Sequence, residues 1–137
     1  MTKVLLSFLI FFIFIGCFEP EPDTKLKNTF WSLSYLQNDN PISHPGKPEV
    51  HLIFHINDNT INGSDGCNKI AAKYTLEKNH IKIYDLISTR MYCENIMEQS
   101  NKFLDALKKV DTLTINGTEL ILYDDSIELA SFQASQY

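Results

Sequence analysis

At 137 residues, of which 44% are hydrophobic, the chain has the length of one domain and enough apolar material for a single core of ordinary size. Its formal charge of −5, with 12 basic residues against 17 acidic ones, argues against a nucleic-acid partner. No basic stripe interleaved with aromatics is present, and the electrostatic attraction that dominates binding to a phosphate backbone would be replaced by repulsion.

Lys3 precedes a strongly apolar block from Val4 to Ile15. The block has the length of a signal-peptide core and is short of the roughly 20 residues that a membrane-spanning helix requires. Phe14-Ile15-Gly16-Cys17 resembles a bacterial lipobox, with Phe14 in place of the commoner Leu. Residues 1–16 therefore read as a lipoprotein signal peptide and Cys17 as the acylated N-terminus of the mature chain. Several acyl chains, at about 0.8 kcal/mol per buried methylene, would anchor it stably to a membrane. Phe18 follows the cysteine where an aspartate would retain the protein at the inner membrane under enterobacterial-type sorting, so the expected location is the outer membrane of the bacterial cell envelope. Removing residues 1–16 takes away only Lys3 among the charged residues and brings the net charge to −6. Residues 17–28 are rich in Pro and charge, without periodicity, and read as an extended tether. The domain is expected to span 29–137, with its body ending near Phe132.

Phe30 to Leu36 alternates, with Trp31, Leu33 and Tyr35 on one side, as a half-buried first strand should. Residues 37–48 form a polar loop with three prolines and are the expected mobile segment. From Val50 to Ile56 the residues Val50, Leu52, Phe54 and Ile56 point inward, which leaves His51 and His55 on the solvent face. Four residues apart in a strand, those two lie roughly 13 Å from each other and cannot share an ion.

INGSDGCNKIAAKY at 61–74 is the densest motif of the chain. Gly63 and Gly66 permit positive φ or close backbone approach, so a sharp bend is expected there, with Asp65 and Asn68 bonding local amides. A phosphate-binding loop is excluded, because Cys67 and Asn68 stand where Lys and Ser or Thr would have to follow the last glycine. Tyr74 to Leu86 reads as a hairpin turning at Glu77-Lys78-Asn79, with Ile81 and Ile83 inward. After TRMYC at 89–93 the period changes to that of a helix. Asn95 and Glu98 resemble a capping box, and Ile96, Met97, Phe103, Leu104, Leu107 and Val110 form the apolar face. Two further strands joined at Asn116-Gly117 and a last one from Ile127 to Phe132 complete the pattern. TINGSD at 60–65 echoes TINGTE at 114–119, but the similarity fades on both sides and marks two strand ends, with no repeat.

With Cys17 assigned to lipid, Cys67 and Cys93 remain as an even pair in an oxidising compartment. A disulfide is the leading reading, a pair of buried thiols the plainer one. A zinc or copper(I) site with His80 or His44 is a third possibility that lacks the Cys-x-x-Cys signature.

Taken together, these residues resemble the META domain, also called the HslJ-like family, over about residues 29–132. Trp31-Ser32-Leu33 matches its opening Trp-x-Leu, and Leu52-Ile53-Phe54 its apolar-x-Phe strand. Gly63 to Asn68, including Gly66, matches Gly-x-x-Gly-Cys-Asn, while Thr89, Met91 and Cys93 match Thr-x-Met-x-Cys, with Glu98 downstream. Ala71-Ala72 departs from the glycine that many members place there. The resemblance implies an α+β, mainly β fold: a strongly bent antiparallel sheet or small open barrel with one packed amphipathic helix. It also implies a lipoprotein of the envelope, in a family linked to heat induction, novobiocin tolerance and motility.

No catalytic constellation accompanies the motifs. Ser64 and Ser88 lack the spacing of a nucleophile elbow, no His-Glu-x-x-His occurs, and the carboxylates are scattered over turns. The expectation is a non-enzymatic envelope lipoprotein without a cofactor. A small-molecule or peptide binder and a thiol redox or metal site at Cys67 and Cys93 are the alternatives.

Overall fold

The structure, a computed structural model, describes residues 25–135 apart from residue 56. The signal peptide, Cys17, most of the tether and Ile56 lie outside the described residues. Eight strands follow in chain order: β1 (Phe30–Leu36), β2 (His51–Phe54), β3 (Thr60–Ser64), β4 (Lys69–Glu77), β5 (His80–Ser88), β6 (Thr112–Asn116), β7 (Glu119–Asp124) and β8 (Ile127–Ser135). One helix, α1 (Met97–Lys109), stands between β5 and β6. Each strand pairs antiparallel with the next, and β8 pairs back to β1, so the bent sheet closes into a ring.

Alternation along the strands fills the ring with side chains. Trp31, Leu52, Phe54, Ile61, Tyr74, Leu113, Leu120 and Phe132 are almost fully buried and belong to one continuous core. The rings of Phe54 and Tyr74 meet edge to face at 5.2 Å, a favourable aromatic geometry. Packing begins before the expected start of the domain: Leu26 is wholly buried, and its carbonyl accepts the Trp31 indole N–H at 2.9 Å.

Strict alternation fails at bulges. Between Leu33 and Tyr35 the β1–β8 register shifts, so Leu36 is buried and Tyr35 only half-buried, the reverse of the expected pattern. An extra residue bends the strand and moves every later side chain to the other face. The histidines of the β2 region also differ from expectation. His51 is half-buried and stacked on Phe30 at 4.3 Å, and His55 is half-buried with Nε2 out of contact with water. The β6–β7 turn falls on Gly117-Thr118, one residue later than expected, with Gly117 supplying the positive φ of 62°.

Helix α1 packs against β5 and β8, burying Ser100, Phe103, Ala106 and Leu107. Phe103 meets Phe132 at 6.2 Å between ring centres. The expected Asn95 cap does not form. Asn95 takes a left-handed conformation at φ 67°, the N-cap position falls on Ile96, and no side chain caps the first turn. Entry is fixed by packing instead, since Ile96 is buried against Cys67 and Cys93. Leu104 is only half-buried, at the margin of the core.

This burial pattern orders the cost of truncations on α1. Leu107→Ala should lose roughly 2–5 kcal/mol, the usual range for a buried leucine, and Leu104→Ala less than half as much. Urea denaturation of both variants at unchanged slope measures the difference. Equal losses would mean that α1 sits in a different rotation on the sheet.

Candidate functional site

The two motif stretches meet where β3 ends and α1 begins. Gly63 lies within β3, and a Cβ there would fall 2.1 Å from the His51 carbonyl oxygen, so only glycine lets β2 and β3 approach this closely. Gly66 supplies the bend, at φ +92°. Between them Asp65, wholly buried, organises the loop. Its Oδ1 accepts the backbone N–H groups of Cys67 at 2.9 Å and Asn68 at 2.5 Å, and its Oδ2 accepts the Ser100 hydroxyl of α1 at 2.6 Å. A buried carboxylate is tolerable only with such donors around it.

Asn68 performs the second bridge. Its Oδ1 accepts the Met91 N–H at 2.7 Å and the Thr89 hydroxyl at 2.9 Å, while Thr89 Oγ1 accepts the Lys69 N–H at 3.2 Å. Cys67 and Cys93 are bonded, with Cα atoms 5.8 Å apart and both side chains buried. Gly66, Asn68, Thr89, Met91 and the disulfide are thus brought together, with Gly63 in the strand that leads into them, whereas Trp31 is buried in the main core on β1. Glu98 stands apart. It is exposed on α1 and paired with Lys102 at 3.0 Å. With Asp39 at 3.4 Å on its other side, the Lys102 ammonium titrates above its ordinary range, held first by the hydrogen bond to Glu98 and then by that to Asp39.

Two clefts flank the junction. One, of about 330 Å³, lies between residues 88–92 and α1, with Arg90, Met91, Tyr92, Met97, Asn101 and Leu104 in its walls. The other, of about 340 Å³, lies between the β1–β2 loop and α1 and includes Asp39, Ile42, Gln99 and Lys102. The Gln99 amide clamps that loop: its Oε1 accepts the Ile42 N–H and its Nε2 donates to the Ile42 carbonyl at 3.0 Å. The segment expected to be mobile is therefore tied to the helix.

Chemically the first cleft offers a guanidinium, amides, hydroxyls and apolar surface, and the second amides, the Asp39 and Glu98 carboxylates and the Lys102 ammonium. Among the described residues no three His, Cys, Asp or Glu side chains gather as metal ligands, and Cys67 and Cys93 are bonded to each other. Asp65 bonds local amides as its place in the loop led us to expect, whereas its bond to Ser100, and the roles of Ser100 and Gln99, are what sequence reasoning missed. Ser100 did carry a signal, because it interrupts the apolar stripe of α1 at an inward position, where a hydroxyl needs a partner.

A closed antiparallel ring with one inserted helix, stapled to its β3–β4 loop by a disulfide, defines a small single-core β domain. The model of the META domain matches residues 24–137, and the chain belongs to that family. Among solved structures, a protein from Burkholderia xenovorans solved by NMR is similar at 20% identity and a TM-score of 0.67, over 100% of both chains. A second NMR structure matches at 19% identity and 0.66, over 81% of this chain and 92% of that one. A DUF4847 family protein from Bacteroides vulgatus matches at 15% and 0.58, over 84% and 98%. These likenesses concern the fold. No curated protein matches the chain.

Removing the Asp65 carboxylate should be expensive, because three buried donors lose their acceptor at once. Asp65→Ala is expected to cost about 3 kcal/mol or more and Ser100→Ala about 1–2 kcal/mol. A loss under about 0.5 kcal/mol for Asp65→Ala, read by denaturation, would show that water replaces it freely. The disulfide closes a loop worth about 3.5 kcal/mol in the chain-entropy model. Reductant should therefore lower the melting temperature of the wild type and leave a Cys67→Ala, Cys93→Ala double variant unchanged.

Proposed function

We propose that this META protein is a lipid-anchored, non-enzymatic component of the bacterial cell envelope, held at the outer membrane through Cys17. Its domain acts there as a binding or structural module in stress or novobiocin tolerance. The observation that carries the reading is the Cys67–Cys93 bond, which joins the two family motifs and suits a chain that matures where thiols are oxidised. The leader from Lys3 to Cys17 supplies the route to that compartment and the attachment within it. The donor-rich junction around Asp65 supports a non-catalytic role, because its polar groups are spent on one another. Membership of the META family supports the envelope association, and the family's link to heat induction and novobiocin points to tolerance as the physiological readout.

Labelling with radioactive palmitate tests the anchor. Wild type should incorporate label and sediment with the outer membrane, and Cys17→Ala should accumulate as unlabelled precursor. Label in the Cys17→Ala variant would refute acylation at this residue. A host lacking the protein should also grow less well in novobiocin, with growth restored by the wild-type chain and not by Cys17→Ala.

A further inference from the structure

The seam between β5 and β6 is one residue pair long, His80 with Thr112. Backbone bonds from Ile81 N–H to the Asp111 carbonyl and from Leu113 N–H to the Asn79 carbonyl complete it. Beyond that point, β5 has a strand only on its β4 side, as far as Ser88. Among the described residues no other element hydrogen-bonds the backbone of Leu86–Ser88 on the open side. Asp85, at φ +52°, kinks the strand just before that stretch.

A free strand edge presents N–H and C=O groups that an extended chain can pair with, and native proteins commonly block such edges. This edge instead leads into the cleft between residues 88–92 and α1. Around it stand three exposed large apolar side chains close together in the chain: Ile87 at 67%, Met91 at 52% and Tyr92 at 80%. Strand edge on one side and helix on the other make a groove with backbone and side-chain recognition built into the same wall.

We infer that this groove receives an extended polypeptide segment of another protein, which pairs along Leu86–Ser88 and runs on beside Met91 and Tyr92. Apolar side chains of the segment cover Ile87 and Tyr92, and acidic ones face Arg90. Charge favours that occupant. The chain as a whole is acidic, yet the groove is lined by its single arginine and by no carboxylate, and that arginine is in no ion pair among the described residues. A second copy paired edge to edge would set Arg90 against its own kind, and a lipid surface would leave the backbone groups of the edge unmatched.

Selection of a displayed library of random ten-residue peptides on the purified full chain in detergent tests the inference. Tyr92→Ala with Ile87→Asp serves as the counter-target, since both residues are largely exposed and the fold does not need them. Enriched peptides should alternate apolar with acidic residues and bind the wild type at least tenfold tighter than the variant. They should lose binding when the backbone amides are N-methylated, and should protect the amides of 86–92 from hydrogen exchange. Failure to enrich any peptide would overturn the inference, as would equal binding to the variant or tolerance of N-methylation. Concentration-dependent dimers, or anionic phosphatidylglycerol vesicles that bind through Tyr92, would overturn it in favour of self-pairing or a membrane face.

Discussion

The Asp65 carboxylate is the point through which the sheet and the helix know each other's position. It lies in a tight loop that could bend several ways, and two of its bonds select one of them by fixing the Cys67 and Asn68 amides. The third, from Ser100, sets how far along its axis α1 lies on the ring. Charge-assisted hydrogen bonds of this kind contribute about 1.5–3 kcal/mol each, so the set rivals the disulfide in size. The two devices act on different states. The Cys67–Cys93 bond restricts the unfolded chain, whereas the carboxylate selects among native arrangements that the bond alone would permit.

That division explains why so small a seam can join β5 to β6. With one residue pair between those strands, hydrogen bonding alone would hold the ring poorly closed at this point. Helix α1 substitutes for the missing ladder by burying Phe103, Ala106 and Leu107 in the same core that the strands fill. The helix is thus part of the closure, and its anchorage at Asp65 is part of the sheet's stability. The clefts on either side of it follow from a helix doing the work of a strand, since its width cannot match the pleat beside it.

Sequence pattern carried the strands, helix α1 and the family, because each depends on local period or on contiguous motifs. It failed where partners are distant or where one residue is inserted. Tyr35 and Leu36 exchange faces because of a bulge opposite β8, which period-two reading of β1 alone cannot detect. The Asn95 cap failed because a disulfide two residues earlier had already set the direction of the chain, a tertiary constraint overriding a local propensity. The repeated string TING shows the limit most clearly. In its first copy Gly63 is a paired strand residue pressed against the His51 carbonyl, and in its second Gly117 turns a hairpin at positive φ. Identical letters serve close approach in one place and backbone freedom in the other.

The same distinction applies inside the TRMYC segment. Thr89 through its hydroxyl and Met91 through its backbone N–H bond the Asn68 side chain, and Cys93 bonds Cys67, which together hold the segment to the loop. Arg90 and Tyr92, which alternate with them, take no part in those bonds and line the cleft beside α1. Five consecutive residues therefore carry two kinds of information. The side chains of Thr89 and Cys93 and the backbone of Met91 fix where the segment lies, and the side chains of Arg90, Met91 and Tyr92 present charge, apolar and aromatic surface at that address. A site built in this way can change its chemistry by substitution at 90, 91 or 92 without disturbing the junction, whereas substitution at 89 or 93 would change the fold before it changed any recognition.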